Sequence, residues 1–149
     1  MRKINKKIIN SKLSHILEYM EEMAPILKIE VKFLLDKKNY KELRTLERDF
    51  QLIVDTMIEI NSHLIKNLNL PPADDYTNTF IILGKHKILP SEFAVKIAKV
   101  VGLRNKIIHK YDIINAKKFI QDLKENSQQF KKYLKHIKQL LKWKNILKK

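Results

Sequence analysis

The chain has 149 residues, the length of a single domain, and carries a formal net charge of +15. Its hydrophobic content of 44% is ordinary for a globular protein, and the absence of cysteine excludes a disulfide framework and a thiolate metal site. No apolar run approaches the roughly 20 residues that span a membrane, and we expect a cytoplasmic protein.

The composition favours an all-α fold, because only two glycines and four prolines interrupt a sequence rich in Lys, Leu, Ile and Glu. The first helix is predicted over residues 11–35, where apolar positions follow helical spacing. Pro25 should kink or split it. Residues 36–39 indicate a break, and a second helix follows over residues 40–67 with the strongest amphipathic pattern of the chain.

The middle of the chain is predicted to hold two further helices. A proline pair makes residues 69–75 a loop, since proline cannot continue a helix. A third helix is predicted over residues 76–86, with Gly84 helping to end it. Pro90 suits the first turn of a fourth helix, predicted over residues 90–111.

The last helix is predicted over residues 115–147 and combines an apolar stripe with a lysine stripe. Eleven lysines against two carboxylates place +9 of the net charge in residues 117–149. A basic surface attracts a polyanion or an acidic partner, or it serves solubility alone. We predict one domain over residues 1–149, a four- to five-helix up-down bundle. The predicted core stripe of the last helix comprises Ala116, Ile120, Leu123, Phe130, Leu134, Ile137 and Leu141. The lysines that keep the same register, roughly 100° round the helix, are Lys117, Lys124, Lys131, Lys135, Lys138, Lys142 and Lys149.

Four residues of the fourth helix suggest RNA chemistry: Arg104, Asn105, His109 and Tyr111. RNA carries its own nucleophile, the 2′-hydroxyl, so a site must deprotonate it and stabilise charge on phosphorus. A guanidinium binds two phosphate oxygens through a fork of hydrogen bonds, and an imidazole, with a pKa of about 6.5, exchanges protons near neutral pH. We therefore predict catalytic roles for Arg104 and His109. Asn105 is expected to bind the substrate or to orient His109, which lies one turn further on.

This route needs no metal, and the sequence predicts neither a metal site nor a cofactor, because the other histidines are scattered without an HExxH pattern. Residues five apart lie about 140° apart round a helix. Arg104 and His109 therefore do not share a face, whereas Arg104 and Tyr111 do. We expect a two-fold dimer whose paired helices form a composite site.

Two acidic residues of the second helix, Asp55 and Glu59, share a face at i, i+4. They either reach Arg104 and orient it or form a solvated acidic face. The sequence alone favours the solvated face.

The segment with Arg104, His109 and Tyr111 resembles the RX4HXY motif of HEPN-domain ribonuclease toxins, specifically the HepT-like toxins of HEPN/MNT toxin–antitoxin pairs. The resemblance extends over about residues 40–120. It includes the amphipathic second helix, the proline loop, the start of the motif helix and the residues just before the motif. These segments are residues 40–65, Leu70-Pro71-Pro72 with Tyr76 and Phe80, residues 88–94, and residues 101–105.

The resemblance implies an all-helical homodimer whose motif helices meet at the interface. It also implies a metal-independent endoribonuclease that cleaves RNA to leave a 2′,3′-cyclic phosphate. The partner implied is a small nucleotidyltransferase antitoxin of the MNT type, which in some pairs transfers AMP from ATP to the motif tyrosine, here Tyr111. An added adenylyl group next to Arg104 would block an RNA phosphate.

Two other functions stay open. The chain could be a catalytically inactive helical adaptor that binds a nucleotidyltransferase or nucleic acid, in which case His109→Ala would change nothing. It could also be a basic RNA-binding module that uses its lysine face, with binding that collapses steeply with salt. The intact motif argues against the first, and the near absence of aromatic residues beside the lysines argues against the second as a complete account.

Overall fold

A computed structural model describes residues 4–109 and 113–142, without the side chains of residues 113–115, and these ranges contain helices and no strand. This confirms the all-α prediction. None of the described helices combines the length and the apolar character needed to cross a bilayer. The helices are α1 (Lys6–Leu27), α2 (Val31–Leu34), a 3₁₀ turn (Lys37–Asn39), α3 (Tyr40–Asn67), α4 (Tyr76–Lys85), α5 (Ser91–Ala98), α6 (Val100–Ile108) and α7 (Ile113–Leu140).

The first predicted helix begins earlier than expected and is split near its proline. Asn5 caps α1, because its Oδ1 accepts a hydrogen bond from the backbone N–H of Ile8 at 3.1 Å. Pro25 lies inside the last turn of α1, where its missing N–H weakens the helix. The chain leaves α1 at Leu27 and resumes a helical path in α2.

Helix α3 has the predicted bounds and forms the centre of the bundle. It packs against α1, α4 and α6, and its apolar stripe is buried. The ring of Phe50 lies edge-on to Phe119 of α7, with centroids 5.6 Å apart, and 6.0 Å from the ring of Phe130. Such aromatic pairs stabilise a core by about 0.5–1.5 kcal/mol beyond their burial.

A buried polar chain joins α7, α3 and α4. The Tyr133 hydroxyl, fully buried, donates to Asn61 Oδ1 at 2.7 Å, and Asn61 Nδ2 donates to Thr79 Oγ1 at 3.2 Å. The Thr79 hydroxyl in turn donates to the Tyr76 carbonyl at 2.7 Å. Burial raises the pKa of Tyr133 well above its ordinary value. This chain fixes the first turn of α4, and therefore the backbone of Tyr76, against α3.

Gly84 does not end its helix, so that part of the prediction is wrong. Helix α4 continues through Gly84 to Lys85, and the nearby left-handed residue is Lys87, with a φ of 61°. A Cβ on Gly84 would lie 2.5 Å from the Cβ of Ala94. Glycine at this position therefore allows α4 and α5 to pack closely.

The predicted fourth helix is two helices. Helix α5 ends at Ala98 and α6 begins at Val100, because the backbone N–H of Lys99 bonds to the Lys96 carbonyl, three residues back, at 3.4 Å. Helix α6 ends at Ile108, so the expected continuation to residue 111 is not observed, and Tyr111 lies outside the described residues.

Helix α7 runs parallel to α3 and ends before its predicted limit. The Tyr133 hydroxyl also lies 3.2 Å from the Met57 carbonyl, so later residues of α7 meet later residues of α3. The helix ends at Leu140, and the predicted extension beyond residue 142 lies outside the described residues. All seven residues of the predicted core stripe of α7 are buried.

Candidate functional site

Arg104 is held against α3 by a short ion pair. Its Nε donates to Asp55 Oδ1 at 2.6 Å, and the Arg104 side chain is only 16% exposed. The α3–α6 contact therefore removes much of this guanidinium from water. A charge-assisted hydrogen bond of this kind is stronger than a neutral one and fixes the plane of the guanidinium.

Two more groups surround the Arg104 guanidinium. Its Cζ lies 5.3 Å from the centroid of the Tyr76 ring, within the range of a cation–π contact. Its Nη1 donates to Asn105 Oδ1 at 3.1 Å. Within the described residues, the remaining nitrogen Nη2 has no hydrogen-bond partner. The guanidinium is thus oriented from three sides.

An open cleft of about 560 Å³ lies in front of Arg104. A second cleft of about 420 Å³ shares Ser62 and Tyr76 with it and extends to the proline loop between α3 and α4. Together they form a groove along α3 that ends at Arg104. The first cleft is lined by Asp55, Ile58, Glu59, Ser62, Tyr76 and Arg104.

The structure corrects the favoured interpretation of the acidic pair on α3. Asp55 is not part of a solvated face, because it binds Arg104. Glu59 is more exposed, at 59% of its side chain, and accepts from Lys12 Nζ of α1 at 3.1 Å. The two carboxylates thus have separate cationic partners, which only the packing of α1 and α6 on α3 reveals.

His109 is not among the residues that line this cleft. It follows the last residue of α6, and its backbone N–H bonds to the Asn105 carbonyl at 3.0 Å. Its imidazole is exposed and does not line the cleft in front of Arg104. The side chain of Asn105 accepts a hydrogen bond from Arg104, and its predicted role in binding the substrate or orienting His109 stays a prediction. Tyr111, the fourth predicted site residue, lies outside the described residues.

Two titratable groups with shifted pKa values, Asp49 and His63, are not among the residues that line the Arg104 cleft. Burial, with a smaller contribution from a side-chain hydrogen bond shared with Glu22, raises the pKa of Asp49 to about 7. Asp49 Oδ2 has no hydrogen-bond partner in the described part of the chain. Burial lowers the pKa of His63, and nearby Lys12 lowers it further. In residues 4–109 and 113–142, no group of three or more His, Asp or Glu side chains could hold a metal ion.

Comparison with known proteins identifies relatives of this chain. A protein-family model described as "Ribonuclease HepT-like" matches residues 16–137. The chain is 32% identical over 143 residues to a protein of Aphanizomenon flos-aquae named "tRNA nuclease HepT", and the match covers 95% of each chain.

Solved structures share the fold. One is a tri-AMPylated HEPN toxin of Shewanella oneidensis in complex with an MNT antitoxin, with a TM-score of 0.80, 18% identity, and coverage of 91% of this chain and 99% of that one. Another is a toxin–antitoxin structure with AMP-PNP, with a TM-score of 0.75, 18% identity, and coverage of 90% and 99%. At these identities the likeness concerns the fold.

Proposed function

The chain belongs to the HepT-like ribonuclease family, and we propose that it is a toxin-type, metal-independent endoribonuclease of a toxin–antitoxin pair. The observation that carries this proposal is the oriented Arg104 guanidinium, paired with Asp55 at 2.6 Å and facing an open cleft. A guanidinium fixed in this way is suited to bind a phosphodiester before the reaction begins. We further propose that residues 1–149 form one HEPN-like domain.

In the proposed reaction, Arg104 binds the non-bridging phosphate oxygens and stabilises the charge that develops on them. His109 removes the proton of the 2′-hydroxyl. The 2′-oxygen forms a bond to phosphorus, the bond from phosphorus to the 5′-oxygen breaks, and that oxygen takes up a proton. The products are a 2′,3′-cyclic phosphate and a 5′-hydroxyl. Asn105 and Asp55 act as positioning residues, because each contacts the guanidinium of Arg104.

We propose that the site is completed by a second copy of the chain, since His109 follows the end of α6 and is not among the residues that line the cleft in front of Arg104. Gly102, Asn105 and His109 lie on one face of α6, at i, i+3 and i+7. Gly102 is exposed, and a Cβ built on it would meet nothing within 4 Å. Such a position lets two helices approach closely across a two-fold axis. Gly102→Trp should therefore block dimer formation without a clash inside the protomer.

Complementation between two inactive variants tests the composite site. Arg104→Ala and His109→Ala should each abolish cleavage of RNA. If Arg104 of one copy acts with His109 of another, co-expression of the two variants should restore about a quarter of wild-type activity. About half of the dimers would combine one copy of each variant, and one of the two sites in such a dimer would have both residues intact. Loss of activity in both variants with no recovery on mixing would show that the site lies within one protomer.

We propose an MNT-type nucleotidyltransferase antitoxin as the protein partner and Tyr111 as the residue that it modifies. A phenol oxygen that attacks the α-phosphorus of ATP would form a phosphodiester to AMP and release pyrophosphate. The bulk and negative charge would then compete with RNA for Arg104. The intact mass of the chain purified with its antitoxin should rise by whole AMP units. No gain should occur in Tyr111→Phe, and an unchanged gain in that variant would assign the modification elsewhere.

A further inference from the structure

One side of α7 carries a row of cations with no neighbouring acid. Lys131, Lys135, Lys138 and Lys142, here called the lysine ridge, follow one another at i, i+4, i+7 and i+11 and are all exposed. Residues 126–142 contain no Asp or Glu. Within the ranges that the structure covers, these four lysines form no salt bridge. The ridge extends over about 16 Å at the helical rise of 1.5 Å per residue.

The cleft in front of Arg104 has the opposite character. Its charged lining consists of the carboxylates of Asp55 and Glu59 and the single guanidinium of Arg104. Beyond the one phosphate that Arg104 can bind, this lining offers little attraction for a polyanion, although phosphate contacts supply a large share of the affinity of proteins for nucleic acids. Further affinity for RNA is expected from cations elsewhere on the surface, and α7 carries a row of them.

The ridge and the cleft lie on different sides of α3. Helix α7 meets α3 through the side of Phe50 and Asn61. The cleft is lined by Asp55, Glu59 and Ser62, which lie about 100° or more round the same helix. Within one protomer, an oligonucleotide that only fills the cleft would not reach the ridge, whereas a larger folded RNA can contact both.

The residues beside the ridge favour RNA over the other anionic partners. The apolar side of α7 is buried in the core through residues such as Phe130 and Ile137, so the helix has no free apolar face to insert into a membrane. Among residues 126–142, none of the exposed positions beside the ridge is an aromatic or aliphatic anchor of the kind that dominates binding at protein interfaces. Lysines alone suit a regularly spaced phosphate backbone.

We propose that the lysine ridge binds the phosphate backbone of a folded RNA at a distance from the cleaved bond. The enzyme would then select RNA that is large enough to reach the ridge and the cleft together. This inference rests on the proposed nuclease function and assigns to it a second RNA-binding surface outside the cleft.

The test compares two triple variants with the same change in charge. The ridge variant is Lys131→Gln with Lys135→Gln and Lys138→Gln, and the control is Lys37→Gln with Lys38→Gln and Lys41→Gln. The control lysines are exposed at the start of α3, the opposite end of the bundle from the ridge. Dissociation constants for a folded tRNA transcript are measured against salt in a His109→Ala background, where the RNA stays intact. Cleavage of the transcript and of a short oligoribonucleotide is measured with His109 present.

Each phosphate contact contributes roughly 0.7–0.9 to the slope of log affinity against log salt. The ridge variant should lower this slope by about 2–3, and the control should leave it unchanged. The ridge variant should also raise KM for the transcript by at least about tenfold while kcat, and cleavage of the short oligoribonucleotide, stay as in the wild type.

Three results would overturn the inference: equal slopes in the ridge variant and the wild type, equal loss in both triple variants, or loss of antitoxin binding by the ridge variant with RNA binding intact. Failure of the nuclease function is distinguishable, because the wild type would then not cleave either RNA while the binding slopes would still report on the ridge.

Discussion

The ion pair between Asp55 and Arg104 gives the sharpest prediction about the site. Asp55→Asn keeps the size of the side chain and removes its charge, so the 2.6 Å bond to Nε loses its charge assistance. The difference between charge-assisted and neutral hydrogen bonds is about 1 kcal/mol, and the partial exposure of Asp55, at 34%, makes this an upper value for stability. We therefore expect a small loss of stability.

The effect on catalysis should be larger than the effect on stability. A reacting group misplaced by about 1 Å loses about 100-fold in rate, so we expect kcat for RNA cleavage to fall by roughly 10- to 100-fold in Asp55→Asn. KM should not rise, because the variant removes a negative charge from the cleft. The assay is steady-state cleavage of a short oligoribonucleotide by correctly folded protein.

Glu59→Gln is the matched control for this prediction. It removes the same charge from the same cleft, one turn further along α3, but its partner is Lys12 and not Arg104. It should leave kcat within about twofold, since an exposed ion pair contributes little. The orientation argument would be refuted if Asp55→Asn and Glu59→Gln had equal kcat values.

Three further predictions concern the fold. Gly84→Ala should destabilise the protein by about 1–3 kcal/mol in urea unfolding, because the new Cβ would lie 2.5 Å from the Cβ of Ala94. Adding Ala94→Gly to this variant should restore most of the lost stability. Absence of this rescue would refute the close packing of α4 and α5. The raised pKa of Asp49, about 7, means that wild-type stability falls as pH rises from about 4 to 7. Asp49→Asn should remove this fall, worth at most about 4 kcal/mol, and an unchanged pH profile would contradict it. Burial lowers the pKa of His63, whose Nε2 accepts a hydrogen bond from the backbone N–H of Asn5 at 3.1 Å. Protonation of His63 removes this acceptor, so the start of α1 should lose hydrogen-exchange protection as pH falls below about 6.5. Constant protection would argue against this contact.

The sequence was sufficient to predict the parts of the fold that local patterns control. Helix α3 has its predicted bounds because a long amphipathic stripe ends at a proline loop. The apolar stripe of α7 is buried as expected, for the same reason of periodicity. The break at Lys99 has no local signal, since neither proline nor glycine is next to it, and the early start of α1 depends on the cap that Asn5 provides.

Contacts between distant segments were the least predictable part of the site. The motif residues were recognisable from their chemistry and spacing. The partner of Arg104 was not, because Asp55 lies 49 residues earlier and only the packing of α6 on α3 brings the two together. Tyr76 entered the sequence comparison only as part of the family resemblance. The contact of its ring with the same guanidinium was not predicted, since its position depends on the buried chain that starts at Tyr133.

Cleavage of RNA by the purified protein in the presence of a metal chelator tests the proposed function most directly. We predict that cleavage persists in the chelator, that the upstream product carries a 2′,3′-cyclic phosphate at its 3′ end while the downstream product begins with a 5′-hydroxyl, and that Arg104→Ala and His109→Ala each abolish cleavage. Cleavage that requires a divalent ion, or that continues unchanged in both variants, would contradict the account.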